Sequence, residues 1–188
     1  MNTLFENAYV LNVMSDDHPG IVAAVGNAVS EVGGNMDAVS QTVLEGYFTL
    51  IMIVSFTEPL DHEKLAADIV GTNPGLQVMI RPLEPTAKAA AESYERFVVT
   101  AFGEDKPGIV LRFSQYLAGK DINITDLFGG RKGDEFVLIG QVEIPKKLEV
   151  RHLQADLEEM GQEEGYTVRL QHENIFVATN QLRLTRQL

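Results

Sequence analysis

The chain has 188 residues, 45% hydrophobic and 22% charged, the make-up of a soluble globular protein of two small domains or one of ordinary size. Its formal net charge is −12, and its basic residues are scattered apart from Arg131-Lys132 and Lys146-Lys147, so a phosphate backbone would be repelled and direct nucleic-acid binding is not expected. The absence of Cys removes disulfides, thiolate metal sites and a Cys nucleophile.

Met1 to Tyr9 carries Glu6 and no basic cluster, and does not read as a signal peptide. Ala8 to Ser15 reads as a strand and Asp16 to Gly20 as a turn. Ile21 to Val32 has helical spacing, with Ile21, Val25, Ala28, Val29 and Val32 on one face, and Gly33-Gly34 stops it. Asn35 to Leu44 is a second strand, Glu45-Gly46 a tight turn, and Tyr47 to Phe56 a nearly continuous apolar strand, central in its sheet. That run is too short to span a bilayer, so a cytoplasmic protein is expected. A helix follows from Asp61 to about Gly71, with Leu65, Ala66 and Ile69 inward, and Leu76 to Arg81 closes the unit. Pro82 to Pro85 opens a linker, in which Thr86 to Glu95, rich in Ala, Glu and Lys, is expected to form a short helix as a rigid spacer.

The order then repeats. Phe97 to Phe102 is a strand, Pro107 to Ala118 a helix with Ile109, Val110, Phe113 and Leu117 inward, and Ile122 to Phe128 a strand. Gly129 to Asp134 is expected as a hairpin turn, Glu135 to Ile144 as a strand, Leu148 to Met160 as a helix and Tyr166 to Gln171 as the last strand. Ile175-Phe176-Val177 suggests one more short strand, and Met52, Met79 and Met160 read as core. Two βαββαβ units predict an α+β protein of two ferredoxin-like domains in tandem, each an antiparallel sheet with its helices on one face. The expected limits are 1–84 for the first domain, 85–95 for the linker, 96–173 for the second domain and 174–188 for an extension.

One motif is used twice at an offset of 88 residues: Asp17-His18-Pro19-Gly20-Ile21-Val22 returns as Asp105-Lys106-Pro107-Gly108-Ile109-Val110. Asn35 and Asn123 obey the same offset. Each motif joins a strand to a helix. Asp17 reads as an N-cap and Gly20 as an opening for close approach. The amides of about Gly20 to Val22 then form an anion site at the positive end of the helix. Asp16 and Asp17, or Glu104 and Asp105, can hold an ammonium group beside it. Asn35 and Asn123 can offer a donor and an acceptor near the loop. A free α-amino acid suits that pairing. The same residues also make a plain helix start, and the Asn residues suit a helix-to-strand turn.

The motif, the later Asn-Met-Asp or Asn-Ile-Thr and the element order resemble the ACT domain, over Ala8 to Arg81 and Phe97 to Gln171. Two copies with no catalytic domain resemble the glycine cleavage system transcriptional repressor family. The resemblance implies a non-enzymatic regulator with no cofactor and no metal. It implies a small amino-acid ligand, glycine being the candidate, and a partner protein such as a transcription factor or an enzyme. Exposed sheet edges and the unmatched Ile175-Phe176-Val177 segment suggest a homodimer or larger closed assembly. The implied ligand residues are Asp16, Asp17, His18, Pro19, Gly20, Ile21, Asn35 and Met36, then Asp105, Lys106, Pro107, Gly108, Ile109, Asn123 and Ile124. The second copy departs at Asp121-Ile122, where the first has Gly33-Gly34. The alternatives are an allosteric regulator or scaffold for a metabolic enzyme, and an enzyme using Asp17, Asp105 or His18 as acid or base. His18, His62, His152 and His172 form no metal-spaced pair, and no nucleophile or phosphate-loop motif occurs.

Overall fold

In a computed structural model, residues 3–84 and 93–184 are described. They fall into two compact units, divided at 87/88. The first runs β1 (Asn7–Asp16), α1 (Ile21–Glu31), β2 (Asn35–Leu44), β3 (Tyr47–Phe56), α2 (His62–Thr72) and β4 (Gln77–Pro82). The second runs β5 (Tyr94–Glu104), α3 (Ile109–Gly119), β6 (Asn123–Lys132), β7 (Glu135–Pro145), α4 (Val150–Glu164), β8 (Tyr166–His172) and α5 (Glu173–Leu184). The sheet orders are β2-β3-β1-β4 and β6-β7-β5-β8, antiparallel throughout. Each unit is the expected ferredoxin-like βαββαβ fold. Most of the linker lies outside the described residues.

Period-two alternation decides which sheet face is covered. Leu11, Val13, Leu50, Met52 and Val54 meet Ile21, Val25 and Val29 of α1 and Leu65 and Ile69 of α2 in one buried core. The second core repeats this with Val99, Ala101, Leu138 and Val142 against Ile109, Phe113, Leu117, Leu153 and Leu157. Burying one such side chain is worth about 1.5–3 kcal/mol, so these stripes supply most of the drive to fold. Met79, expected in the core, is 58% exposed because its register partner Asn12 lies on the open sheet face. Val32 and Val110 are exposed as well: Val32 is already the C-cap of α1, and Val110 sits one position off the buried stripe of α3.

Both first helices end alike. Gly33 N donates to Ser30 O and Gly34 N to Val29 O, both at 2.9 Å, which is a Schellman motif with Gly33 at φ 76°. In the second unit Asp121 takes that left-handed place at φ 59°, with Asp121 N to Ala118 O and Ile122 N to Leu117 O at 3.0 Å. Asp tolerates this conformation better than most residues. Each β2-type strand then carries a bulge, at Asp37 and at Thr125.

Two expectations fail. Ile175-Phe176-Val177 lies inside helix α5 rather than in a strand. Three β-formers are too few to set a period, and a strand needs a ladder partner where a helix satisfies its own amides; Thr179 Oγ1 donates to Ile175 O at 2.9 Å within it. Gly129 to Lys132 stays in the β6 ladder, and the turn narrows to Gly133-Asp134, matching Glu45-Gly46. Glycine weakens a strand but does not forbid one.

The change from Gly34 to Ile122 is matched elsewhere in the core. A Cβ at Gly34 would collide with the Phe56 ring and with Val29. In the second unit Ile122 is buried, and the counterpart of Phe56 is the smaller Ile144. We expect Gly34→Ile to destabilise the first unit by about 1–3 kcal/mol through overpacking. Adding Phe56→Ile should recover part of the loss. Urea unfolding of the single and double variants checks this, and strict additivity would refute the exchange.

Candidate functional site

The β1–α1 junction begins where Asp16 ends β1 and Asp17 N donates to Gly46 O at 2.8 Å, tying the loop to the β2–β3 turn. The helix is entered through Gly20, at φ 98° and ψ −8°, and no side chain caps it. Asp17 is therefore not the N-cap that the sequence suggests, because the Pro19-Gly20 turn separates it from Ile21. The first intrahelical bond is Ala24 N to Gly20 O at 2.9 Å. The amides of Ile21, Val22 and Ala23 are left without a helical acceptor, at the positive end of the helix.

These amides face an open cleft of about 420 Å³ lined by the 17–23 run together with Gln41 of β2 and Phe48 of β3. Asp16 is exposed just outside it. His18 fixes the outer wall. Its Nε2 is 3.2 Å from Asn73 Nδ2 and its Nδ1 3.1 Å from Pro19 O. Asn73 Oδ1 accepts from Gly75 N at 3.3 Å, which turns its amide nitrogen towards the ring.

The second junction shares the backbone. Gly108 has φ 95° and ψ −3°, Arg112 N donates to Gly108 O at 3.0 Å, and Asp105 N donates to Asp134 O at 3.3 Å. Its side chains differ. Arg131 Nε of β6 binds the Asp105 carboxylate. Lys106 N donates to Tyr166 Oη at 3.2 Å and Lys106 Nζ to Glu164 O at 2.9 Å. Arg112 pairs with Glu164. The second unit also has a small apolar crevice of about 20 Å³ between α3 and the sheet, where Gly140 stands for Met52. It has room for about one water.

Asn35 and Met36 do not join the loop of their own unit. Asn35 pairs with Ser55, and Ser55 with Ala8, at the far end of β1 from Asp16. Eight residues of strand separate the two ends by about 26 Å. Met36 packs under α1 at Gly26. Asn123 and Ile124 occupy the same ladder positions in the second unit, and Ile124 packs on its core.

Asn35 instead serves the bulge. Its Nδ2 donates to Asp37 Oδ1 at 2.9 Å, which also accepts from Leu4 N at 2.7 Å, while Phe5 N donates to the buried Ser55 hydroxyl at 3.1 Å. Burial pushes the Asp37 carboxyl up, but the Ser55 hydroxyl, the Leu4 amide and the Asn35 amide outweigh it and hold it below the usual carboxylate range. Gln41, Phe48, Asn73 and Asp37 were not singled out from sequence. The one available signal was Gln41, a polar residue in step with Val39 and Val43 on the core side of β2. No group of three or more His, Cys, Asp or Glu is placed to hold a metal among the described residues.

The sequence model of the ACT domain matches residues 8–81 and 95–171. A UPF0237 protein of Methanococcus maripaludis is 40% identical over 83 residues, which is 44% of this chain and 92% of that protein. A crystal structure of an unknown protein from Galdieria sulphuraria superposes with a TM-score of 0.74 at 22% identity, over 88% of this chain and 98% of that one. A crystal structure described as a candidate glycine cleavage system transcriptional repressor gives 0.66 at 19% identity, over 89% and 98%. At these identities the two structures speak for the fold alone.

Two outcomes follow from the geometry. A Cβ at Gly20 or Gly108 meets nothing within 4 Å, so only the positive φ resists substitution. Gly20→Ala and Gly108→Ala should each cost about 1–2 kcal/mol in denaturant unfolding, and Gly20→Asn less. Asp37, its carboxyl held below the unfolded value, adds stability that is present above the unfolded pKa of about 3.9 and lost as pH falls through the folded one. Thermal melts below about pH 4 should therefore fall less steeply for Asp37→Asn than for the unsubstituted chain.

Proposed function

The chain belongs to the ACT-domain family, carrying the domain twice, and from that premise we propose that it is a non-enzymatic regulator that senses a free amino acid. The first junction carries the reading. Three uncapped amides at a helix N-terminus suit a carboxylate, and Asp17, with Asp16 beside it, suits an ammonium group. Both features face one cleft of a size for a small ligand. The Gln41 carboxamide adds a neutral polar contact within that lining. Glycine is the first ligand to try, a choice supported by the fold shared with the candidate glycine cleavage repressor.

The signal passes to a partner protein, a transcription factor or an enzyme, rather than to DNA. The net charge of −12 supports this, since each phosphate contact needs a cation that this chain does not cluster. The protein assembles as a homo-oligomer, in keeping with edge strands β2 and β4, β6 and β8 that each sheet leaves open. It acts in the cytoplasm; among the described residues no helix is long and apolar enough to cross a membrane.

Calorimetry against glycine and a panel of amino acids tests the sensor. Binding should need both charged ends of the ligand, so acetate and methylamine should each fail to compete. Asp17→Asn should weaken binding about tenfold or more, since one charge-assisted hydrogen bond is worth roughly 1.5–3 kcal/mol. No heat with any amino acid would refute the reading. A tight, salt-dependent shift of duplex DNA by the isolated protein would refute the role of a partner.

A further inference from the structure

We propose that Arg131 is a built-in occupant of the second junction, where its guanidinium takes the place of a ligand's ammonium group, so that each chain binds one amino acid and binds it in the first unit. The inference rests on the amino-acid reading of the first junction.

The two junctions share a backbone and the Asp, Pro, Gly, Ile and Val of the motif, and differ in what surrounds the Asp carboxylate, with Lys106 for His18 and Gly129 for Gln41. The Asp105 carboxylate is held by Arg131, whereas among the described residues that of Asp17 has no hydrogen bond or ion pair. The counterpart of Arg131 in the first unit is Val43, which brings no charge. The counterpart of Gln41 is Gly129, and the Phe136 ring stands 3.0 Å from where its Cβ would lie. The second junction therefore lacks the carboxamide and holds its Asp105 carboxylate in an ion pair, while Glu104, the counterpart of Asp16, lies 4.0 Å from Lys106 Nζ.

The last helix completes the closure. In the first unit Leu11 pairs with Ile80, and in the second Val99 pairs with Leu170, so the offset of 88 has grown to 90. The added residues extend α4 to Glu164, where α2 stops at Thr72 before the Asn73 turn. Glu164 reaches the junction with both ends, its carbonyl accepting from Lys106 Nζ and its carboxylate pairing with Arg112. In the first unit the same place holds the His18–Asn73 contact.

Arg131 is exposed, and an exposed ion pair alone is weak. It needs no great strength here. Its tether keeps the guanidinium beside the carboxylate, so a free amino acid has to displace it before its own ammonium group can bind.

The test is an amide NMR titration of the full chain with glycine, L-alanine and L-serine in turn. In the unsubstituted chain the amides of Ile21, Val22 and Ala23 should shift, while those of Ile109, Val110 and Leu111 stay still. In Arg131→Gln both sets should move, with a gain of about twofold to fivefold in affinity at the second, the most that an exposed ion pair can withhold. The spectrum itself reports that the variant is folded. Shifts at both junctions before substitution, or a silent second junction in Arg131→Gln, would overturn this inference and leave the amino-acid reading standing. Silence at both junctions with every probe would overturn the two together.

Discussion

Everything at the two junctions depends on one backbone constraint. The chain must turn from the end of a strand into a helix lying back across the sheet, and it does so through a left-handed glycine at the cap position, φ 98° in one unit and 95° in the other. A glycine there has no side chain with which to cap the helix. The first-turn amides are consequently left to water or to a ligand. Had Asp17 been one place from Ile21, its carboxylate would have satisfied one of those amides and put negative charge where a ligand's carboxylate would go. Moving it out of the cap frees both the amides and the acid, and leaves both in the lining of one cleft.

The duplication preserved that constraint while the side chains changed around it. Asp121 does the work of Gly33, and Ile122 with Ile144 fills what Gly34 leaves to Phe56. Such exchanges keep total core volume and cost little. The exchanges near the junction are of another kind. Val43 to Arg131, His18 to Lys106 and the longer α4 change charge and hydrogen bonding without touching the core. The second unit gains internal contacts at its loop and the first keeps an open one. The Tyr116 hydroxyl adds a further tie there, donating to Asp156 at 2.7 Å and joining α3 to α4; the first unit has Ala28 in its place.

Much of the fold was legible because its signals are local. The bounds of β2 and β3 follow from Gly33-Gly34 and Glu45-Gly46, and those of α1 from Ile21, Val25, Ala28 and Val29. The α5 segment misled because Ile175-Phe176-Val177 shows composition without a period. The glycines of 129–130 misled because they lie in a strand, where Gly129 marks a close approach of Phe136 rather than a turn. Of the candidate site, the loops themselves were legible and their neighbours were not. Gln41 and Phe48 join the first loop through strand register, which depends on where a hairpin turns. Asn35 seemed near in sequence logic and lies at the other end of the strand. Arg131 reaches Asp105 across 26 residues, and nothing in the motif announces it.

Charge narrows what the first junction can hold. The net charge of −12 is less decisive than it looks, since screening confines each exposed charge to about 8 Å at physiological ionic strength. What an entering ligand feels is Asp17 in the lining, Asp16 beside it and the three amides. A simple anion such as phosphate gains the amides but meets the two carboxylates, and the cleft lining supplies no Lys or Arg to offset them. A simple cation gains the carboxylates but leaves the amides to water and faces the positive end of the helix. Only a ligand carrying both charges on adjacent atoms of one small frame satisfies both walls at once. An α-amino acid is the smallest common metabolite of that form, and on the reading proposed above the opposed charges that exclude its two halves would make the site selective.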